Sequence, residues 1–516
     1  MLFNEDAIAS PWILQGRWKW QWSASQRHSY RALCLIFLIA TLSGYARPQS
    51  LAIERVTVID ATGRAAETDR TVLIDGDRIA SIGPSKTTAV PKNTRLIDGS
   101  GKFLIPGLWD MHVHGTSDTR APWSHLLFLA NGVVGVRDMS GPADAHAWRA
   151  AQASGEDPSP HIYLGSPIVD GPHPVWPDSI VAADEAQGRE VVDQQQQRGA
   201  DFIKVYSRLP RDVYFAIADE AKKRGIPFEG HVPESVTAVE ASDAGQKSIE
   251  HLTGVDSGSS RDETEIRAEL RHLEELFRAP NATVAQKMDS GKGIIALNLR
   301  IVATYDEATA RSLFARFVKN ETWQCPTLTL LRAQIDEPLP ANDPRLKYLS
   351  KGVRAKWDAG YYNGVPPPAR AAIVNLAKVQ FDESKKLVGL MNAVGVPILA
   401  GTDTMNPQCF PGFGIHDELA LLVDAGLSPL AALQAATRNA AQFMGQIDRS
   451  GTVEVGKAAD LVLLDKDPLA DIHNTRTIKA VVLGGRFFSR AALDAMLAKA
   501  QTLANGEDPA GAGKMK

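Results

Sequence analysis

Cysteine is scarce in this chain of 516 residues, which contains only Cys34, Cys325 and Cys409. So few cysteines cannot hold a chain of this length together, and a disulfide-stapled scaffold is therefore excluded. Cys34 lies in an N-terminal apolar segment. We expect the other two cysteines to be buried free thiols rather than a disulfide bridge.

The chain also lacks an excess of positive charge. It has 56 Lys and Arg residues and 60 Asp and Glu residues, which gives a formal net charge of −4. Nucleic acid and anionic membrane surfaces are therefore not expected as main partners. Hydrophobic residues make up 44% of the chain and charged residues 22%. This balance supports a large buried core and excludes bulk disorder.

A hydrophobic run of membrane-spanning length is missing from the N-terminal region. The apolar run Ala32–Leu42 is shorter than the ~20 residues that a spanning helix needs. Arg27 and Arg31 precede this run and the small residues around Ala46 follow it, in the order typical of a secretory signal peptide. We therefore expect residues 1–46 to be a cleaved signal peptide and the protein to be periplasmic or secreted. An uncleaved membrane anchor is the alternative.

Short segments of alternating apolar and polar residues, separated by Gly, Asp and Pro, are present near both ends of the remaining chain. They occur in residues 47–104 and return in residues 448–490. This pattern is typical of short antiparallel strands. We expect a small β-sandwich domain built from both chain ends, followed by a C-terminal helix and a disordered tail over residues 491–516.

Between these parts, residues 105–447 alternate apolar strands with helical stretches. Most of the eight candidate strands are almost continuously apolar, as expected when both faces of a parallel sheet are buried. The fold class is therefore α/β, with a (β/α)8 TIM-like barrel whose active site lies at the C-terminal strand ends. We expect the long connection over residues 253–321 to form a lid or a flanking wall. The eight strands are expected to end at Asp110, Asp138, Val169, Tyr206, Val232, Leu252, Leu330 and Asp403.

Six residues of metal-ligand type lie at or near five of these strand ends. A spacing of two places His112 and His114 on one face of the first strand. By the same alternation Lys204 points inward, where its charge must be paired or removed. Each residue alone has a structural explanation, but the whole set predicts a binuclear metal site. The set is His112, His114, Lys204, His231, His251 and Asp403.

Two further residues are candidate substrate contacts. Tyr206 follows Lys204 on the inward face of the fourth strand, and His173 lies in a loop after the third strand. Asp110 shares the face of His112 one step deeper in the barrel. It either orients a metal ligand or pairs with a polar group of the core.

Four charged or titratable residues have structural explanations in the sequence. We expect Arg137 and Asp138, at the end of the second strand, to form a structural ion pair. We expect His416 and Asp417 to cap a helix that follows the eighth strand.

Five motifs resemble the metal-dependent amidohydrolase superfamily and occur in that family's order, over about residues 53–487. They are FLIPGLWDMHVH, NGVVGVRDM, IEHLTG, LAGTD and GKAADLVLLD. In these motifs the chain is most similar to the imidazolonepropionase-like branch, which includes prolidase-like dipeptidases and ochratoxinase-like amidases.

The resemblance implies two divalent metal ions and a ligand set for each. His112, His114 and Asp403 would bind one ion, His231 and His251 the other, and a carbamylated Lys204 would bridge both. Zinc is the metal that imidazole-rich ligation favours, and cobalt, manganese and iron stay open.

The resemblance also implies a small-molecule substrate and a hydrolytic reaction. Hydroxide generated between the metals would attack a C–N amide bond of a small dipeptide, N-acyl amino acid or cyclic amide, and Asp403 would carry the proton. A lactonase or phosphotriesterase on the same metals, a mononuclear deaminase and an inactive binding protein are the alternatives. Lys204 argues against the deaminase, and the complete ligand set argues against the binding protein. A homo-oligomer stays open.

Overall fold

The computed structural model describes residues 50–118, 120–153, 157–335 and 339–506. The expected signal peptide over residues 1–46 and the tail over residues 507–516 lie outside these ranges. Among the helices of the described ranges, none is both long and apolar enough to cross a membrane.

The strands in the described ranges number as follows in chain order: β1 (Leu51–Val58), β2 (Glu67–Asp75), β3 (Arg78–Pro84), β4 (Arg95–Asp98), β5 (Phe103–Pro106), β6 (Leu108–Val113), β7 (Val133–Asp138), β8 (His161–Leu164), β9 (Val169–Asp170), β10 (Ile180–Val181), β11 (Ile203–Val205), β12 (Phe228–Gly230), β13 (Ser248–Glu250), β14 (Trp323–Cys325), β15 (Leu461–Leu464), β16 (Ile478–Leu483) and β17 (Arg486–Ser489).

The α-helices in the same ranges are α1 (Ala121–Ala130), α2 (Ala145–Ala153), α3 (Glu185–Gln197), α4 (Arg211–Arg224), α5 (Ala238–Asp243), α6 (Val255–Gly258), α7 (Glu263–Arg278), α8 (Val284–Ala303), α9 (Glu307–Asn320), α10 (Leu328–Ala333), α11 (Lys351–Ala359), α12 (Pro367–Val394), α13 (Gly414–Asp424), α14 (Pro429–Ala435), α15 (Arg438–Phe443) and α16 (Arg490–Gly506). Two 3₁₀ helices cover Pro344–Tyr348 and Ile472–Arg476.

Strands from both ends of the described chain form one sheet. Its order is β17-β16-β15-β5-β1-β2-β3, and β4 pairs with β1. The two chain ends meet where β5 runs antiparallel to β15, with Leu104 opposite Leu463 and Ile105 opposite Val462. Side chains alternate, so Leu104 and Leu463 enter a core of the sheet's own while Ile105 and Val462 face the main core. The sheet therefore has side chains in both cores. The expected β-sandwich stays a prediction.

The middle of the chain carries two parallel sheets, ordered β6-β7-β8 and β10-β9-β11-β12-β13-β14. Every residue of β6 and β7 is buried, which agrees with the almost continuously apolar sequence of these strands. The α/β class predicted from the sequence is confirmed. Isolated parallel bridges connect the two sheets and the segment 398–404, and they pair Gly165 with Phe202, Gln324 with Ile398, and Val113 with Thr404.

Several observed strands differ in extent from the predicted ones, and a proline explains two of the differences. The third predicted strand, ending at Val169, is divided into β8 and β9 by a segment that contains Pro167. The seventh ends at Cys325 rather than Leu330, because Pro326 follows and α10 then begins. Proline has no N–H group to donate to a strand ladder, so it interrupts both strands.

The long connection over residues 253–321 folds into helices α6 to α9. Helices α7 and α8 pack on each other around a small apolar cluster of Ile266, Leu297 and Ile301. Helix α9 instead buries Phe314 and Phe317 in the main core. The connection therefore contributes one helix that packs on the main core and a separate helical pair.

We expect Leu461→Ala to destabilise the protein by about 2–5 kcal/mol, because Leu461 is fully buried between strands from the two chain ends and its truncation leaves a cavity. Leu96→Ala is the control, since Leu96 is 57% exposed and its loss should change stability by less than about 0.5 kcal/mol. Denaturant unfolding measures both variants. Equal stabilities would contradict the assignment of Leu461 to a shared core.

Candidate metal centre

Four of the predicted ligands meet around one carboxylate. His112 Nε2 lies 3.5 Å from Asp403 Oδ1, and His114 Nε2 lies 3.1 Å from the same oxygen. His251 Nε2 lies 3.8 Å from Asp403 Oδ2. Ligand atoms of His112, His114 and Asp403 lie within 4.8 Å of one another. These three residues are therefore close enough together to hold a single ion.

The other two predicted ligands lie beside this group. The His231 ring centroid is 4.9 Å from that of His251 and 4.0 Å from that of Tyr206. Lys204 is 1% exposed, and its Nζ lies 5.6 Å from the centroid of the Tyr206 ring. The charge of Lys204 also acts on the pKa values of His112, His231 and His251. All six predicted residues thus form one cluster, which we call the metal cluster.

Three of the four histidines have one ring nitrogen fixed by a neighbour. The Nδ1 of His112 donates to Glu250 Oε2, because a carboxylate can only accept. This hydrogen bond leaves the lone pair of His112 on Nε2, the nitrogen that faces Asp403. The three Nδ1 contacts are His112 with Glu250 Oε2 at 2.7 Å, His231 with Ser207 Oγ at 2.8 Å, and His251 with Thr327 Oγ1 at 2.7 Å.

Glu250 belongs to a buried charge network centred on Arg137, whose side chain is completely buried. The guanidinium donates from Nη2 to Glu250 Oε2 at 2.9 Å and from Nη1 to Glu229 Oε2 at 2.8 Å. Its Nε donates to the carbonyl of Met111. Arg137 thereby connects β7 to three strands, β6, β12 and β13, which lead into His112, His231 and His251.

The predicted pair of Arg137 with Asp138 is wrong. Adjacent residues of a strand point to opposite faces, so these two side chains diverge. Asp138 instead accepts hydrogen bonds from the hydroxyl groups of Thr116 and Ser117.

The predicted capping role of His416 and Asp417 is also wrong, since α13 has no side-chain cap. His416 is buried and contacts the Thr475 hydroxyl and the Asn131 carbonyl. These contacts hold α13 against other parts of the fold, and Asp417 instead forms ion pairs with Arg345 and Arg476.

Asp110 pairs with a polar group of the core, which was one of its two predicted roles. Its carboxylate accepts from the backbone N–H of Thr402 at 3.0 Å and from the Thr402 hydroxyl at 2.7 Å. Burial raises the pKa of Asp110 to about 7. Because Thr402 precedes Asp403, this pair holds the backbone that presents the Asp403 carboxylate.

The backbone around the metal cluster is locally strained and tightly packed. His251 and Asp403 have φ angles of 57° and 54°, in the left-handed region that costs a non-glycine residue about 1–3 kcal/mol. A Cβ at Gly401 would lie 2.5 Å from Cys325 Sγ and 2.8 Å from His112 Cβ. Only glycine therefore allows the segment before Asp403 to pass so close to His112.

Burial sets the protonation of the metal cluster. It lowers the pKa of His112 and His231 well below the ordinary value and that of His251 to about 4. These imidazoles are therefore neutral at pH 7, which is the form that binds metal. Burial also lowers the pKa of Lys204 to about 8. For Asp403 burial opposes the charge, but the neighbouring imidazoles lower its pKa overall.

The donor atoms of the cluster fit a divalent cation. Within the described part of the chain, the buried atoms His231 Nε2 and Asp403 Oδ1 make no hydrogen bond. A buried polar atom without a hydrogen bond costs free energy unless a ligand satisfies it. Nitrogen and carboxylate oxygen donors are those that zinc takes in proteins. The cluster therefore has the chemistry of a metal site.

A second group of potential ligands, His112, Glu250 and Cys325, lies against the other ring nitrogen of His112. The hydrogen bond from His112 to Glu250 accounts for the closeness of two members. Burial raises the pKa of the Cys325 thiol well above its ordinary value, and a protonated thiol is a poor ligand. We therefore interpret this group as support for the His112 ring.

The two predicted substrate contacts differ in position. Tyr206 stacks on His231, and its hydroxyl accepts a hydrogen bond from Trp176 Nε1 at 2.9 Å. Burial raises the pKa of Tyr206 to about 12, so the phenol stays protonated. His173 is exposed and lines a different cavity, beside Arg208, which no member of the metal cluster lines.

Sequence reasoning missed the roles of Glu229 and Glu250 and assigned Arg137 to the wrong partner. Each of these residues is a charged side chain inside a short and otherwise mostly apolar strand. A buried charge requires a partner of opposite sign. The sequence therefore indicates that each of these residues has a buried partner, but not which residue that partner is.

The comparison with known families decides the classification, because the model described as "Amidohydrolase family" matches residues 103–488. The chain belongs to the amidohydrolase family. The imidazolonepropionase of Aromatoleum aromaticum is 40% identical over 87 residues, 16% of this chain and 20% of that protein. The ochratoxinase of Aspergillus niger is 36% identical over 119 residues, 22% of this chain and 24% of that protein. These matches span about a quarter or less of each relative's length.

Solved structures of the family share the fold over most of the chain. Bottromycin amidohydrolase has a TM-score of 0.64 at 24% identity and covers 90% of this chain and 92% of its own. A Xaa-Pro dipeptidase with bound methionine has a TM-score of 0.60 at 19% identity and covers 85% and 100%. At these identities the likeness shows the fold alone, and it implies a TIM-like barrel. The resemblance inferred from the motifs is confirmed.

We expect Glu250→Gln to weaken zinc binding by about 10–100-fold, because the amide loses the charge that holds His112 Nδ1 and Arg137. Competition with a chelator measures the affinity, and circular dichroism verifies the fold. Glu229→Gln is the matched control, because Glu229 contacts Arg137 but no proposed ligand. A zinc affinity unchanged in Glu250→Gln, or reduced equally in both variants, would contradict a specific role for Glu250.

Proposed function

We propose that this protein is a binuclear metal-dependent amidohydrolase that cleaves a C–N amide bond of a small dipeptide, N-acyl amino acid or cyclic amide. The observation that carries the proposal is the metal cluster, in which buried donor atoms of His231 and Asp403 make no hydrogen bond within the described ranges. Membership of the amidohydrolase family supports hydrolysis. A solved structure named as a Xaa-Pro dipeptidase favours an amide over an ester as substrate.

In this proposal the six residues divide between two ions. His112, His114 and Asp403 hold one divalent cation, His231 and His251 hold the other, and carbamylated Lys204 bridges them. Zinc is the metal we propose, because imidazole nitrogen and carboxylate oxygen both suit it. When bound, two such cations supply Lewis-acid polarisation of the scissile carbonyl and a water of lowered pKa.

Carbamylation of Lys204 is supported by its surroundings. Lys204 is 1% exposed, and this burial lowers its pKa to about 8 even though the carboxylates of Glu250 and Asp403 favour the ammonium form. Its neutral amine nitrogen would form a bond to the carbon of carbon dioxide and release one proton. The product is a carboxylate, which would replace the positive charge with a negative one.

The chain's own side chains would then move and hold protons. Asp403 lies within 4 Å of three imidazoles, and its carboxylate would accept the proton of the attacking water. The same carboxyl group would return that proton to the leaving nitrogen, because an amine cannot depart as an anion. The Tyr206 hydroxyl, which stays protonated, would donate to the substrate.

We further propose that the two parallel sheets close into one eight-stranded barrel. The isolated bridges support this arrangement, because the segment 398–404 pairs with β14 on one side and with β6 on the other. The strands of residues 47–104 and 448–490 would form one β domain beside the barrel. The protein would act in the periplasm or outside the cell.

Metal content tests the proposal directly. Purified protein should hold close to two divalent cations per chain, and Lys204→Ala should hold one or fewer and lose most amide turnover. A carbamate signal from ¹³C-labelled carbon dioxide should appear by NMR in the native protein and disappear in Lys204→Ala. A short carboxylic acid should partly restore turnover by replacing the missing bridge.

The control for this experiment is Lys247→Ala. Lys247 is half-buried and precedes β13, at the opposite end of that strand from His251, so its loss should leave both metals in place. Full activity of Lys204→Ala with two bound metals would show that another residue bridges.

Asp403→Asn separates proton transfer from metal binding. Asparagine keeps the shape and an oxygen donor but cannot carry the proton, so amide turnover should fall by ~10²–10⁴-fold. Hydrolysis of an activated ester, whose phenolate leaves unprotonated, should fall much less. Metal content is measured in the same samples. Native amide turnover in a fully loaded Asp403→Asn would show that Asp403 does not carry the proton.

A further inference from the structure

A small cavity lies against the metal cluster on the side of His251. It measures about 100 Å³ and is enclosed by α6, α8, α12 and the residues around α10, with His251 itself in its wall. Its volume is about three times the ~30 Å³ share of one liquid water molecule. His251 borders both the cavity and Asp403, so the cavity lies directly beside the metal cluster.

One wall of the cavity carries a buried carboxylate of which, within the described ranges, only one oxygen accepts a hydrogen bond. The side chain of Glu383 is 6% exposed, and its Oε2 accepts from Lys386 Nζ at 3.1 Å. Its Oε1 is buried and makes no hydrogen bond within the described ranges. The Lys386 side chain is 69% exposed, so it approaches from the solvent side and leaves Oε1 to the cavity.

A second carboxylate, Asp256, lines the same cavity. Burial raises the pKa of Asp256, although the backbone N–H of Ser257 and the charge of Arg267 act in the opposite direction; the charge of Glu383 adds a smaller increase. Two neighbouring carboxylates disfavour each other's charge, and a cation between them would relieve this repulsion. The cavity is therefore built to accept positive rather than negative charge.

The remaining wall combines apolar side chains with two glutamines and one serine. Phe381 and Leu387 are 7% and 2% exposed, and both line the cavity together with Leu331. Apolar walls beside a carboxylate match a hydrocarbon chain that ends in a charge, as in the side chain of lysine. A bare inorganic cation would make no use of Phe381 and Leu387.

We propose that this cavity is a specificity pocket for a primary alkylammonium group of the substrate, with the Glu383 carboxylate as its counter-ion. That the substrate is an amide rests on the proposed function. Binding of an alkylammonium group to the cavity does not, because it can be measured without turnover. The substrate class is then an amide of lysine or of a comparable amino-alkyl compound. An acidic side chain in the same position would be repelled by Glu383.

Binding is tested with n-butylammonium and its neutral isostere n-butanol on the metal-loaded, full-length protein. By calorimetry, native protein should bind n-butylammonium at least ~10-fold more tightly than n-butanol, and Glu383→Gln should lose that preference. Asp382→Asn is the matched control, because it removes a charge from the adjacent position of α12 whose side chain is 69% exposed. Should Glu383→Gln fold poorly, Asp256→Asn serves as the second variant and should reduce the same preference.

Turnover is tested with paired amides of lysine and norleucine, which differ in the terminal ammonium. Native protein should favour the lysine amide by at least ~10-fold in kcat/KM. Glu383→Gln should abolish this ratio, whereas Asp382→Asn should keep it. Selective butylammonium binding without cleavage of either amide would overturn the proposed function but support the pocket. Cleavage of both amides at equal rates, with no selective butylammonium binding, would overturn the pocket but support the proposed function.

Discussion

The rest of the site depends on one fully buried cation. The Arg137 guanidinium lies between the carboxylates of Glu229 and Glu250 and also holds the Met111 carbonyl. Removing one partner of a buried ion pair costs about 3–5 kcal/mol, because the other charge is left without compensation. The three side chains must therefore remain together, and their strands must remain in register. Glu250 transmits this constraint to the His112 ring through a hydrogen bond at 2.7 Å.

The same burial that makes this pairing necessary also prepares the histidines. An imidazole kept out of water stays neutral, so it can present a lone pair without first losing a proton. The hydroxyl groups of Ser207 and Thr327 also hold the rings of His231 and His251 in place, by hydrogen bonds at Nδ1. Rings held before a ligand arrives lose little freedom when it binds. Order in the cluster is thus set by the fold.

The part of the site that follows from local periodicity was predictable from the sequence. The spacing of His112 and His114 and the inward direction of Lys204 depend only on the alternation of a strand, and the structure brings all three into one cluster. The partner of Arg137 was not predictable, because Glu250 lies more than a hundred residues further along the chain. The opposite directions of adjacent strand residues could have excluded Asp138. Likewise, Pro326 could have predicted the end of β14, although a partly apolar sequence continues to Leu330.

The pairing of β5 with β15 has a consequence for how the chain is made. Leu104 meets Leu463, so β5 can pair with β1 but not with its other neighbour, β15, until nearly the whole polypeptide has left the ribosome. At ~5–20 residues per second, this wait lasts on the order of tens of seconds. During that time an apolar strand edge is exposed, and such edges recruit other chains. Until its last strands emerge, the edge of β5 that later meets β15 is therefore a site at which nascent chains can associate.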